Sequence, residues 1–379
     1  MRVLIAVLLA ALLLQGASLG VAQEAQPDEV REAERAPRRR RARRRRPRVL
    51  RTERGAPRLQ VVAEARTSVQ PKSVEISPDG RRVWVCNFGR LDEHNVYVYD
   101  AETLDHVGTV EFPGNAVETA FSPDGQVAYV SNFRRGVVEV IDTASLTVQR
   151  EIEVGANPKF MVVSPDGARL YVALYTQKRV AVVDTATGTL LRRYVTGTQP
   201  RGMAMMQDGT LLVASFRSDY VQVFSAEGAE LRRFRTCPFP RHLQLEPGGE
   251  FVAVTCTLGS IQTYEVATGH RRLIARTGRN PRTLGLSQDG RWAATANFHS
   301  SDVSLADLTL RRHRTSPVPG ADQLVGLAVR LSQDGPGGTP RLRIYATSWN
   351  NRRLYVLEPR DALPAVPPPR PPEAETPSE

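Results

Sequence analysis

Short apolar runs separated by a tight turn recur along most of this chain, and each group of runs has the same internal order. Phe160-Met161-Val162-Val163 leads into Ser164-Pro165-Asp166-Gly167, and a second apolar run, Leu170-Tyr171-Val172-Ala173, follows. A third segment alternates with period two and ends in a polar residue, as in Val138-Glu139-Val140-Ile141-Asp142, and a fourth is more polar, as in Leu190-Leu191-Arg192-Arg193-Tyr194-Val195. Alternation of this kind belongs to half-buried strands. Each unit therefore predicts four strands, apolar at the inner end of the group and polar at the outer edge.

The turn gives the number of units. It stands at Ser77-Pro78-Asp79-Gly80, Ser122-Pro123-Asp124-Gly125, Ser164-Pro165-Asp166-Gly167, Met206-Gln207-Asp208-Gly209, Glu246-Pro247-Gly248-Gly249, Ser287-Gln288-Asp289-Gly290 and Ser332-Gln333-Asp334-Gly335, at intervals of 40 to 45 residues. Proline presets the second position of such a turn, and glycine supplies the left-handed conformation from which the next strand leaves. Four short strands at a period near 40 make a propeller blade, so the chain is expected to be all-β, a seven-bladed β-propeller of four-stranded antiparallel blades. The last repeat supplies three strands, over about 323–332, 341–348 and 353–358. Leu59-Gln60-Val61-Val62-Ala63-Glu64-Ala65 reads as the missing outer strand, which closes the ring and covers its free edges.

Tyr129-Val130-Ser131-Asn132 and Trp84-Val85-Cys86-Asn87 occupy second strands. With the aspartate-ended third strands and the Asp-Gly turns, they make the chain resemble the YVTN family of β-propeller repeat proteins over roughly residues 58–359. The resemblance implies the fold. It leaves function open, because similar architectures host sugar-lactone hydrolases, redox enzymes and plain binding scaffolds.

A hydrophobic content of 41% with 6% aromatic residues suits many short strands and excludes a wholly disordered chain. The net charge of +11 is concentrated, since residues 23–58 hold 14 arginines against 6 acidic groups and leave the propeller close to neutral. Residues 23–57 are expected to form a disordered arm. Its Arg38, Arg39, Arg40, Arg41, Arg43, Arg44, Arg45 and Arg46 are suited to polyanions or a membrane surface, or to no partner at all. Ahead of it, Val3 to Leu14 is an apolar run behind Arg2, and Gly20-Val21-Ala22 offers a cleavage site. Residues 1–22 thus read as a signal peptide, with an uncleaved anchor as the competing possibility, and the mature protein is expected to be exported, whether periplasmic, cell-surface or secreted. Residues 360–379 read as a disordered proline-rich tail. In an oxidising compartment Cys237 and Cys256 are expected to pair, with Leu245 opposite Glu250 and Cys256 opposite Phe239, leaving Cys86 free or bridged to another chain.

The six histidines show no metal-ligand spacing, and no nucleophile elbow or phosphate loop is present, so no metal or cofactor is expected. By analogy of fold, a lactone hydrolase could use His242, Arg241 and Glu118. The repeats themselves give a sharper pattern. Five residues before the serine slot stand Lys72, Lys159, Arg201, Arg241 and Arg282, each behind a proline; blade two has Val117 followed by Glu118, and blade seven Leu324. Phe88, Phe133, Tyr175, Phe216, Phe298 and Trp349 follow the second strands, with Thr257 the exception. Antiparallel pairing puts the two series on one face. The expected function is therefore a monomeric binding or scaffold protein whose basic, aromatic-collared channel face takes an anionic ligand or partner. A lactone hydrolase and a polyanion tether acting through the arginine arm are the alternatives.

Overall fold

The computed structural model describes residues 49–366; the expected signal peptide, the arginine run at 38–46 and the tail beyond 366 lie outside the described residues. Seven antiparallel sheets follow one another along the chain. Blade one consists of Pro71–Ile76, Arg82–Asn87, Val96–Asp100 and His106–Val110, from the channel outwards, and the later blades repeat that order. Blade seven takes Leu324–Ser332, Arg341–Ser348 and Arg353–Pro359 from the C-terminal repeat, and Leu59–Arg66 pairs antiparallel with the last of these. The ring is closed by its first long strand.

The recurring turn is held by its own side chains. Ser77 Oγ donates to Asp79 Oδ1 at 2.5 Å and accepts the Arg82 amide at 2.9 Å, while Asp79 Oδ1 accepts the Arg81 amide. Gly80, at φ 73°, donates its amide to the Ser77 carbonyl. Serine, aspartate and glycine are thus each used, which explains why the tetrapeptide recurs. The seventh copy differs from expectation: Gly335 lies at φ −67°, and its amide donates to the Thr339 carbonyl across a longer loop.

Seven buried apolar clusters hold the ring, and each lies between two neighbouring blades. Alternate side chains of each sheet face opposite neighbours, so every blade contributes to two clusters. The blades are cohesive only as a ring.

Two features depart from the sequence reading. Residues 50–54, expected within the arm, form strands: Leu50–Arg51 adds in parallel to the outer strand Arg271–Arg276 of blade five, and Glu53–Arg54 to the outer strand Arg312–Pro317 of blade six. The reason is the unpaired edge that each outer strand offers. Thr52 Oγ1 reaches His313 Nδ1 at 2.8 Å, and Arg314 Nε donates to the Ala56 carbonyl at 2.6 Å. This strap lashes blades five and six before the chain enters blade seven. The second departure is one of register. A disulfide joins Cys237 to Cys256, with Cα atoms 5.8 Å apart, and Cys86 is a buried free thiol. However, the turn runs from Glu246 to Phe251, whose carbonyl accepts the Glu246 amide, so Leu245 pairs with Val252; a bulge between Pro240 and Leu243 then shifts the register by one residue and puts Cys256 opposite Pro240.

Candidate functional site

The inner strands begin at one mouth of the channel. Pro71, Pro158, Pro200, Pro240 and Pro281 each open one, behind a residue with positive φ (Gln70, Asn157, Gln199, Phe239 and Asn280). The register breaks directly after each proline. This bulge lets two consecutive side chains reach the lumen. Lys72, Lys159, Arg201, Arg241 and Arg282 all line one pocket, together with Glu118 from the following position of blade two and His242 from that of blade five. Gly202 holds the same position in blade four. A Cβ there would stand 2.8 Å from the Cα of His242, so only glycine admits that approach.

The aromatic series interleaves with the cations. Lys159 Nζ lies 5.7 Å from the Phe133 ring and 4.9 Å from Tyr175; the Arg201 guanidinium lies 5.1 Å from Tyr175 and 4.8 Å from Phe216. Arg241 follows at 5.6 Å from Phe216, Arg282 at 3.9 Å from Phe298, and Lys72 at 5.3 Å from Trp349. At Lys159 and Arg201 the cation is flanked by the ring of its own blade and that of the blade before. These contacts stabilise partly desolvated charge by about 0.5 to 2 kcal/mol each. Phe88 differs: it packs on Phe133 and Trp349, at 6.0 and 5.9 Å. Blade five has Thr257 in the aromatic slot, and Phe239, which precedes Pro240, packs on Phe216 at 5.5 Å instead. The sequence series missed Phe239 because it comes from a different turn of the blade.

The electrostatics are those of charge without sufficient counter-charge. None of the ion pairs among the described residues involves these five cations, and the Nε atoms of Arg201 and Arg282 are buried without a partner. Burial, followed by Arg241 and Arg201, brings Lys72 down to about 7. Lys159 is lowered by burial and then by Arg201 and Lys72. Burial lowers Arg241 as well, and Arg282 to about 10. A guanidinium does not give up its proton in a protein, so its unfavourable position amounts to a demand for an anion. Burial raises Glu118 to about 7 against the pull of Lys72, Lys159 and Arg201. Deeper in the channel, burial and then Glu118 raise Glu75 to about 8. The sequence reading had not singled out Glu75, whose only sign was its place on an inner strand.

His242 is 6% exposed. Burial lowers it to about 4, so the ring is neutral. The Leu284 amide donates to Nδ1 at 2.8 Å, which puts the proton on Nε2, and Nε2 is buried without a partner. His242 is therefore placed as a donor. The free space between these groups is 40 Å³, and a single water needs about 10 to 15 Å³ on such a measure. The pocket admits a small oxyanion or the anionic tip of a larger ligand.

Comparison with known proteins supports the fold. Residues 49–236 match the family described as Lactonase, 7-bladed beta-propeller. Hydrazine synthase from Kuenenia stuttgartiensis is similar in structure, with a TM-score of 0.66 at 21% identity over 78% of this chain and 97% of that one. No curated protein sequence matches. With seven four-stranded blades, an N-terminal closing strand and a match over residues 49–236 to a family of seven-bladed propellers, the chain is a seven-bladed β-propeller protein.

Proposed function

We propose that this protein is an exported binding protein that holds an anionic ligand at the basic mouth of its channel. The observation that carries the reading is the convergence of Lys72, Lys159, Arg201, Arg241 and Arg282 on one pocket, with no ion-pair partner among the described residues. Like charges held around one opening focus anions into it. The single carboxylate at that level, Glu118, does not balance five cations. Export is supported by the apolar N-terminal run and by the Cys237–Cys256 disulfide.

Lactone hydrolysis is the second reading, favoured by the family matched over residues 49–236 and by the meeting of Glu118, Arg241 and His242 in the same pocket. His242 is poorly set for it as a base, since the nitrogen that would take a proton already accepts the Leu284 amide. Glu118 would have to serve, in a space too small for a sugar lactone. The binding reading therefore comes first. The test is calorimetry of native protein and an Arg201→Ala/Arg241→Ala variant against small oxyanions, anionic sugars and lactones. Binding should fall at least tenfold in the variant. Unchanged affinity for every ligand of the native protein would move the site elsewhere, and lactone turnover lost in Glu118→Gln would establish the enzyme.

A further inference from the structure

The outer wall of the propeller is far from neutral. The outer strands of blades three to six read LLRRYV, ELRRFR, RRLIAR and RHRTSP, with ten arginines and one glutamate. Those of blades one, two and seven read HVGTV, TVQREIE and LQVVAEAR, with two arginines and three glutamates. The near-neutral sum for the propeller hides this division. Of the ten, only Arg233 and Arg272 form ion pairs among the described residues. The strap adds Arg51 and Arg54 at the same place, and with Arg276, Arg314 and His313 they line a cleft of 630 Å³ across the edges of blades five and six. The arginine run at 38–46 immediately precedes the strap in sequence.

We propose that this wall, from blade three to blade six, is a docking band for a flexible chain with a phosphodiester backbone. Three observations select that occupant. Arginine recurs in every outer strand of the band, and neighbouring blades share positions, Arg192 and Arg193 with Arg232 and Arg233 and Arg235 with Arg276, so that cations recur along the wall as a repeating anion requires; guanidinium suits phosphate oxygens. The wall is convex and spans four of seven blades, so a flat membrane meets little more than one blade at a time while a flexible chain follows it. The aromatic residues of these strands, Tyr194 and Phe234, are buried, so bases have nothing to stack on and the contact reads charge alone.

The test uses the full chain with two probes of that chemistry, a 30-nucleotide oligothymidylate and a glycerol-phosphate polymer, titrated across ionic strength. Five wall arginines are neutralised together: Arg193→Gln, Arg232→Gln, Arg235→Gln, Arg271→Gln and Arg276→Gln. A matched variant neutralises Arg66, Arg81, Arg134, Arg352 and Arg360, all exposed outside the band. For a single strand each phosphate contact contributes about 0.7 to the slope of log affinity against log salt. The wall variant should lose about 3 from that slope and at least tenfold in affinity at moderate salt, with unchanged thermal unfolding, and the matched variant should lose little. Binding of only one probe would identify the source of the backbone. Equal loss in the two variants, an unchanged slope in the wall variant, or tighter arginine-dependent binding to anionic vesicles than to either polymer would overturn the proposal.

Discussion

Lys72 and Glu118 sit within one pocket, and both are brought to about 7 chiefly by burial, from opposite sides. Between pH 6 and 8 the first loses a positive charge and the second gains a negative one. Both changes oppose an anion. Sulfate keeps its charge over this range, so its affinity should fall about tenfold or more from pH 6 to pH 8, and calorimetry at the two pH values checks it. Lys72→Met should weaken binding at pH 6 and flatten the profile; a profile that rises with pH would contradict the arrangement. At this scale the sequence was informative where the repeats could be aligned. The cation slot stood out because each copy follows a proline. Glu75, the donor role of His242 and the substitution of Phe239 for the missing aromatic at Thr257 depend on contacts between blades, which no comparison of repeats contains. Phe239 is 38% exposed and has φ 55°, a backbone state unusual for a bulky side chain.

Strands and turns were legible because their chemistry is local. The Ser-Pro-Asp-Gly turns follow from side chains within five residues of one another, and the closing strand was visible as the piece absent from the last repeat. The strap was not. Two-residue strands have no periodicity, and their pairing depends on edges more than 200 residues away. It changes what a truncation should do. Removing residues 35–47 should leave thermal unfolding unchanged, whereas removing 35–54 also strips the edge hydrogen bonds of blades five and six, including those from Thr52 and Glu53 to Ile274 and Arg311. The loss should be about 1 to 2 kcal/mol. Calorimetric scans of the two truncations separate the outcomes, and equal midpoints would show that the strap contributes no stability.

The whole ring depends on the meeting of its first and last blades. There the Arg343 guanidinium, 7% exposed, donates to Glu358 and to Glu102 at 2.8 Å, and Arg341 joins both carboxylates. Burial works against the Glu358 carboxylate, but the hydrogen bonds from Arg343 and Arg341 more than offset it and hold its pKa below the usual range. For a depressed carboxylate the stabilisation is complete above the unfolded pKa and disappears as pH falls through the folded one. Glu358→Gln should therefore cost about 2 kcal/mol near neutrality and progressively less in acid. Urea titrations at pH 7 and pH 3 test this; an equal cost at both pH values would remove the charge from the explanation.

The strap also sets how the molecule answers tension. If the chain ahead of Val49 is held by a surface or a polymer, a pull reaches the body first through Leu50–Arg51 and Glu53–Arg54, two ladders of two residues each. The ladder that closes the ring, Leu59–Arg66 against Arg353–Pro359, pairs seven residues and comes later along the same path. The short ladders peel first, lengthening the leash while the ring stays shut. The strap is thus a mechanical fuse ahead of the closure, and the channel site behind it keeps its shape under a load that has already undone the first attachment.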